Sequence, residues 1–203
     1  QPDRVGIREE LGEVITSTGA EADREASVRG EGGPESVQDG AMRCRGGERH
    51  DVARAHDHVE TLAPANAPAW VQDRAALWNA VEAAETRKNS QVAREIRVAL
   101  PAELDHGRRV ELVRDFCQRQ FVDRGMVADI ALHAPGREGD DRNHHAHILL
   151  TTREIAAEGF TTKNRDWNAV EVLEGWREAW AQDANLALEL AGHAERIDHR
   201  TLE

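Results

Sequence analysis

The 203-residue chain is acidic, with 38 Asp and Glu against 26 Lys and Arg and a net charge of −12. This balance argues against a protein that coats nucleic acid by charge alone, because affinity for phosphates comes from lysines and arginines. No apolar run is long enough to span a membrane, and the start is not typical of a secretion signal. Cys44 and Cys117 form no Cys-x-x-Cys pair and suit a reducing compartment, so a cytoplasmic protein is expected.

Residues 1–50 differ in composition from the rest of the chain. They are rich in Gly, Glu, Asp and Arg, and only residues 14–18 look like a strand. Such a segment buries too little apolar surface to offset chain entropy, so we predict that it is poorly ordered or diverged. Residues 51–203 are predicted to form one folded domain. The start at Gln1 rather than methionine suggests a fragment or an incompletely defined start.

Hydrophobic periodicity predicts the elements of this domain. They are, in chain order, a helix over 72–88, a strand over 92–100 ended by Pro101, a helix over 104–123, strands over 126–133 and 145–152, and a helix over 168–191 stopped by Gly192. This order predicts an α+β fold, with a mostly antiparallel sheet and helices packed on one face.

The same periodicity predicts which helix residues are buried. They are Leu77, Val81 and Ala84 in the first helix, Val110, Val113, Cys117 and Phe121 in the second, and Leu173, Trp176, Trp180, Ala184, Ala187 and Ala191 in the last. The tryptophans of the last helix lie on its apolar stripe, which favours a core position over a base-stacking role.

Three histidines stand at the ends of the two adjacent predicted strands. His145 and His147 are two residues apart, so on a strand they share a face. His133 ends the preceding strand, and residues 134–142 form a short polar loop compatible with a hairpin. Three converging neutral imidazoles would leave open positions on a divalent metal, which is typical of a catalytic site. The alternative is a chance histidine pair with no ligand.

These histidines belong to a longer pattern that resembles the relaxase domain of the MobA/MobL mobilisation proteins. The resemblance covers roughly residue 50 to the end. The matching segments include Ala67-Pro68-Ala69-Trp70, Ala93-Arg94-Glu95-Ile96, Leu132-His133-Ala134, Asn143-His144-His145-Ala146-His147-Ile148 and Arg196-Ile197-Asp198-His199-Arg200.

The resemblance implies the substrate and the metal ligands. Relaxases nick one strand of plasmid DNA at a transfer origin to begin conjugation. By position, His133, His145 and His147 match the ligands of a divalent cation, with Mn²⁺ or Mg²⁺ expected and Zn²⁺ as an alternative. The implied partners are single-stranded origin DNA and accessory mobilisation proteins in a bacterial cytoplasm.

The resemblance also suggests roles for the neighbours of the histidines. Glu95 matches an acidic residue of the family, counted here as catalytic, that would orient or polarise a ligand imidazole. The alternative is a solvated carboxylate paired with Arg94 or Arg97. His144 is expected to face away from its neighbours and to lie at the surface.

The chain departs from the family at the nucleophile. The family uses a tyrosine near the N-terminus, but this sequence contains no tyrosine, and the best counterpart is Met42. A thioether cannot attack phosphorus. Cys44 is a conceivable substitute, although an idle thiol is the favoured interpretation. A decayed gene, a shifted reading frame upstream of about residue 48 and a diverged protein are the open explanations.

The N-terminal departure also bears on the sheet. The family's sheet needs its N-terminal strand in the middle, so a chain unable to supply it would lack one member and expose sheet edges.

The middle of the chain is rich in basic residues, which form either a local patch for DNA or solvated helix faces balanced by acids. These residues are Arg87, Lys88, Arg94, Arg97, Arg108, Arg109, Arg114, Arg119 and Arg124.

The sequence therefore predicts a relaxase domain that binds single-stranded origin DNA with a divalent metal. It would nick by transesterification only with a substitute nucleophile. The alternative is a non-catalytic origin-binding or regulatory remnant of a relaxase. An unrelated metallo-hydrolase is disfavoured, because Leu149 stands where a His-x-His-x-Asp-His motif needs an acid.

Overall fold

The computed structural model describes residues 15–16, 56–87, 89–135 and 142–200. The strands are β1 (Ile15–Thr16), β2 (His56–Leu62), β3 (Gln91–Ala99), β4 (Ala128–His133), β5 (His145–Thr151), β6 (Arg153–Ala156) and β7 (Gly159–Lys163), and the helices are α1 (Arg74–Ala83), α2 (His106–Gln120) and α3 (Val170–Leu190). Within these ranges, no helix is both long and apolar enough to cross a membrane.

The described strands form a five-stranded antiparallel sheet in the order β1-β3-β5-β4-β2 and a separate hairpin of β6 and β7. This arrangement confirms the predicted α+β class with an antiparallel sheet. Strand β5 lies in the middle, where Ile148 pairs with Ile96 of β3 on one side and with Ile130 of β4 on the other. The strand that carries His145 and His147 is therefore paired along both edges.

The N-terminal strand lies elsewhere than expected. Ile15 and Thr16 fall in the stretch that looked strand-like, and they pair with β3 at the edge of the sheet. Among the described residues, the N-terminal strand that the resemblance places in the middle of the sheet is not found there, and β5 fills that position. Residues 1–14 and 17–55, with Met42, Cys44 and the predicted boundary near residue 50, lie outside the described residues.

Strands β2, β6 and β7 were not predicted. The sequence of β2, His-Asp-His-Val-Glu-Thr-Leu, lacks a clear apolar alternation because the strand lies at a sheet edge. Strands β6 and β7 have only four and five residues. Such short strands give too little pattern to be recognised, and only their pairing in the folded chain defines them.

The main core lies between the sheet and the two long helices. Ala146, Ile148 and Leu150 alternate along β5 and are completely buried on this side. They face apolar residues of α2 and α3, including Phe116 and Trp180, whose rings make an edge-to-face contact at 5.1 Å between centroids.

Most predicted helix contacts are confirmed. Trp176 and Trp180 are core residues, as expected, with 3% and 1% exposure. Val110 and Ala187 are only partly buried against the core. Leu173 is 36% exposed, so its predicted burial is wrong: the buried stripe of α3 begins one turn later, at Trp176.

Capping residues set helix ends that periodicity had placed slightly differently. The Asp73 side chain accepts a hydrogen bond from the Ala76 N–H, so α1 begins at residue 74 rather than 72 and ends before Ala84. Asp105 caps α2 in the same way. Gly192, with φ +83°, ends α3 as predicted, because its conformation lets the last N–H groups turn back onto helix carbonyls.

The short helix α1 contacts the opposite face of the sheet. Asp129 alternates with the core residue Ile130, so its side chain points away from α2 and α3. The buried Asp129 carboxylate accepts hydrogen bonds from Arg74 Nε at 2.9 Å and Trp78 Nε1 at 2.8 Å. The predicted packing of helices on one face of the sheet therefore holds for α2 and α3, whereas α1 covers part of the other face.

Replacing Asp129 by alanine should destabilise the protein by roughly 1–3 kcal/mol, because it removes the buried acceptor of Arg74 and Trp78. Arg74 is partly exposed, so water can solvate its charge and limit the loss. Urea unfolding measures the difference. Asp115→Ala, at an exposed position on α2, is the control and should change stability by less than about 0.5 kcal/mol. Equal effects of the two substitutions would contradict this role.

The Cys117 thiol should be inert in the folded protein. Burial raises its pKa above the ordinary value of 9.0, and the nearby Glu60 charge adds to the effect. In a Cys44→Ser background, a disulfide reagent at mildly alkaline pH should modify Cys117 only after unfolding. Because the folded-state pKa is the higher one, the thiol's contribution to stability should decrease as pH rises above about 9. Rapid modification of the native protein would contradict this expectation.

Candidate metal centre

Strand pairing brings the three predicted histidines together. His133 of β4 lies directly opposite His145 of β5, and His147 lies one step further along β5 on the same face. The ring centroids are separated by 5.2 Å for His133 and His145, 4.8 Å for His133 and His147, and 5.3 Å for His145 and His147. The trio lies on the sheet face opposite α2 and α3, and all three residues are half-buried.

Two of these rings are oriented by acceptors at Nδ1. His147 Nδ1 donates to the Glu95 carboxylate, and His145 Nδ1 lies 3.0 Å from the Asn143 carbonyl oxygen. A proton on Nδ1 leaves the Nε2 lone pair to bind a metal, and such partners are typical of ligand histidines. Of the two interpretations of Glu95, its contact with His147 supports the orienting one. Arg94 is not its partner, since that side chain bonds the Trp167 carbonyl on the helix side.

The spacing of the rings fits a shared divalent ion. With a metal–nitrogen distance of about 2.1 Å, imidazoles around one ion have centroids roughly 4.5–5.3 Å apart. The observed range of 4.8–5.3 Å agrees with this estimate. The donors are also suitable, because imidazole nitrogen binds borderline metals well.

One ring is not yet oriented for ligation. The planes of His133 and His145 differ by only 11°, so the two rings are stacked and their nitrogens do not point at one position. Accordingly, no group of three or more His, Cys, Asp or Glu side chains among the described residues stands ready to hold a metal ion. Ligation by all three histidines requires one of the stacked rings to rotate about its side-chain bonds.

Burial favours the neutral form of His145. It lowers the pKa of His145 below the ordinary 6.5, and the charges of His147 and Arg97 lower it further, while the hydrogen bond to Asn143 acts in the opposite direction. A histidine must be neutral to bind a metal, so this environment suits a ligand at neutral pH.

His144 faces away from its neighbours, as predicted, but it is not a surface residue. It is half-buried, and its Nδ1 lies 3.0 Å from Nη1 of Arg109. The buried Arg109 also donates to the carbonyls of Pro101 at 3.0 Å and Ala102 at 2.7 Å. Arg109 therefore ties the segment after β3 to the start of β5. Arg109 lies on the buried side of α2, and this position was the signal in the sequence that could have identified its role. Grouping it with the basic residues of a possible DNA patch concealed that signal.

The other basic residues do not form one patch. Arg108, Arg114 and Arg119 pair with acids, in agreement with the solvated-face interpretation; the ion pairs are Arg108 with Asp105, Arg114 with Glu60 and Arg119 with Asp183. Lys88 lies outside the described residues. Arg97 alternates with Ile96 and Val98, so it lies on the histidine face.

Removing the Arg109 side chain should loosen the start of β5. Arg109→Ala deletes the donor to three acceptors, two of them carbonyls near the buried end of β3, and should cost roughly 2–4 kcal/mol in urea unfolding. The adjacent Arg108→Ala is the matched control, and loss of its exposed ion pair should cost less than about 1 kcal/mol. A cost for Arg109→Ala no larger than that of the control would show that this anchor is dispensable.

Comparison with known proteins agrees with this fold and with the resemblance seen in the sequence. Residues 42–203 match the model of the MobA/MobL family, so the chain belongs to this family. The chain is 35% identical over 178 residues to a probable conjugal transfer protein TraA of Sinorhizobium fredii, covering 72% of this chain and 16% of that protein. It is 35% identical over 195 residues to the mobilization protein MobL of Acidithiobacillus ferridurans, covering 77% and 49%.

A solved structure also resembles the chain. It was reported under the heading "Molecular Basis of Vancomycin Resistance Transfer in Staphylococcus aureus". The two chains match with a TM-score of 0.65 and 36% sequence identity. The match covers 72% of this chain and 77% of that one. The relatives, by contrast, are much longer than this chain, which spans 16% of the TraA protein and 49% of the MobL protein.

Proposed function

We propose that this chain is the relaxase domain of a conjugative mobilisation protein, and that it binds single-stranded DNA at a transfer origin with a divalent cation. The observation that carries the proposal is the trio His133, His145 and His147 on the central strands, with two Nδ1 atoms held by acceptors. Family membership and the names of relatives that act in conjugal transfer or mobilisation support it. The proposed partners are plasmid DNA and accessory mobilisation proteins in a bacterial cytoplasm.

In this proposal the three histidines hold the cation, with Mn²⁺ or Mg²⁺ preferred and Zn²⁺ as the alternative. Such an ion, when bound, polarises a phosphate and offsets the charge that develops on its oxygens. Glu95 fixes the His147 ring and makes Nε2 a better donor, and the Asn143 carbonyl does the same for His145. Glu95 acts through His147, so it is a positioning residue.

The nucleophile separates two versions of this function. The chain contains no tyrosine, and Met42 cannot replace one. Cys117 is also unsuited, since it is completely buried and burial raises its pKa. Nicking by transesterification therefore requires another group, of which Cys44 is the candidate. Without one, the chain is an origin-binding or regulatory remnant of a relaxase, and the missing tyrosine favours this second function.

The metal proposal is tested by titrating the protein with Mn²⁺ and following free ion by electron paramagnetic resonance. His147→Ala and His145→Ala should each weaken binding more than tenfold, because each removes a ligand. Glu95→Ala should weaken it by about 10–100-fold through the lost orientation of His147. His193→Ala, beyond the end of α3, is the control. Unchanged affinity in the first two variants would refute the site.

Catalysis is tested with labelled single-stranded oligonucleotides tiled across the DNA that flanks the gene. The protein is incubated with each in Mn²⁺, and a protein–DNA adduct that survives denaturation is sought. An adduct that is lost in His145→Ala and in Cys44→Ser would identify a working transesterase with a thiol nucleophile. Binding without an adduct would identify the remnant. In that case Met42→Tyr should generate nicking if the rest of the site is intact.

A further inference from the structure

Strand register aligns four residues in one row across the sheet. Arg97 of β3 pairs with His147 of β5, His147 pairs with Ala131 of β4, and Ala131 pairs with Val59 of β2. Directly paired residues share a face, so all four lie on the histidine face. With neighbouring strands about 4.8 Å apart, the row extends roughly 14 Å.

The two ends of this row differ in chemistry. At the β3 end, Arg97 is exposed and places a permanent positive charge beside His147. At the β2 end, Val59 is an apolar side chain with 38% exposure, next to the small Ala131. A cation, a histidine cluster and an apolar position therefore follow one another across the strands.

Helix α1 limits the direction in which a ligand can lie on this face. The adjacent row consists of Glu95, Leu149, Asp129 and Thr61. Arg74 and Trp78 of α1 stand over Asp129 and bond its carboxylate. Arg74 and Trp78 block a long ligand at the histidines from continuing along β4. Among the described residues, the course that remains runs across the strands.

Phosphate and apolar contacts together are the chemistry of single-stranded nucleic acid. One guanidinium group can donate hydrogen bonds to two oxygens of a phosphate. Proteins that hold single strands combine such phosphate contacts with packing against the bases. The net charge of −12 makes a correctly placed arginine important, because general attraction to DNA is absent.

Building on the proposed function, we propose that the single strand crosses the sheet along the row Arg97, His147, Ala131 and Val59. Arg97 binds a phosphate next to the one held at the histidines. Val59 packs against a base on the other side, and the buried Ala131 forms the floor between Val59 and His147. Arg97 and Val59 are thus substrate-binding residues on opposite sides of the metal centre.

The Arg97 contact is tested by the salt dependence of affinity for the tightest-binding oligonucleotide of the tiled series, in Mn²⁺. Arg97→Ala should lower affinity about tenfold and reduce the slope of log K against log salt by about 1. Arg97→Lys should keep the slope, since the charge is retained. Arg108→Ala removes the same charge from the opposite side of the sheet and should change neither quantity. Affinity for Mn²⁺ alone should not fall in Arg97→Ala.

The Val59 contact is tested by coupling the protein substitution to a missing base. Val59→Ser should weaken DNA binding about three- to fivefold. Because Val59 is exposed, the substitution should leave the fold intact. An oligonucleotide scanned with single abasic sites should contain one position at which wild type and Val59→Ser bind equally. Absence of any such position would refute the apolar contact.

The outcomes distinguish this inference from the proposed function. If the wild-type protein binds DNA and Mn²⁺ but Arg97→Ala behaves like Arg108→Ala, the track across the sheet is wrong and the proposed function stands. If the wild-type protein binds no oligonucleotide in Mn²⁺, both are wrong.

Discussion

The pairing of β5 with β3 on one side and β4 on the other positions both the core and the candidate metal centre. In this register Ala146, Ile148 and Leu150 are fully buried against the long helices, while His145 and His147 face the other side with His133 beside them. A slip of one residue would move the histidines into the core and the apolar residues into solvent. The free energy of burying one face therefore also holds the histidines in place on the other.

Two buried polar side chains reinforce this arrangement at opposite ends of the strands. Arg109 bonds two carbonyls that follow β3 and the ring of His144, just before the histidine strand. Asp129 binds Arg74 and Trp78 and so places α1 on the histidine face. A buried charge is costly without partners, so each of these contacts specifies one position for the segment it holds.

The residues suited to metal binding and the residue needed for nicking differ in whether this chain contains them. The histidine trio has the spacing of a metal centre, and Glu95 holds His147, although one of the stacked rings His133 and His145 must rotate before all three can ligate an ion. The tyrosine that the family resemblance requires does not occur in the sequence. Binding and chemistry can thus be lost separately, because they depend on different segments of the chain. Under the proposed function, DNA and metal binding therefore depend on the described sheet, and nicking depends on a group from another segment.

The sequence by itself determined the antiparallel α+β class, the long helices, the two strands that bear the histidines and the identity of the trio, because these depend on local periodicity and residue type. It did not reveal β2, the roles of Arg109 and Asp129, the position of α1 or the row from Arg97 to Val59. Those features arise from pairing between segments distant in the chain: His56–Leu62 becomes a strand only beside β4, and Asp129 becomes an anchor only once α1 packs over it. Tertiary structure decided them, because partners far apart in sequence leave no periodic signal in either segment.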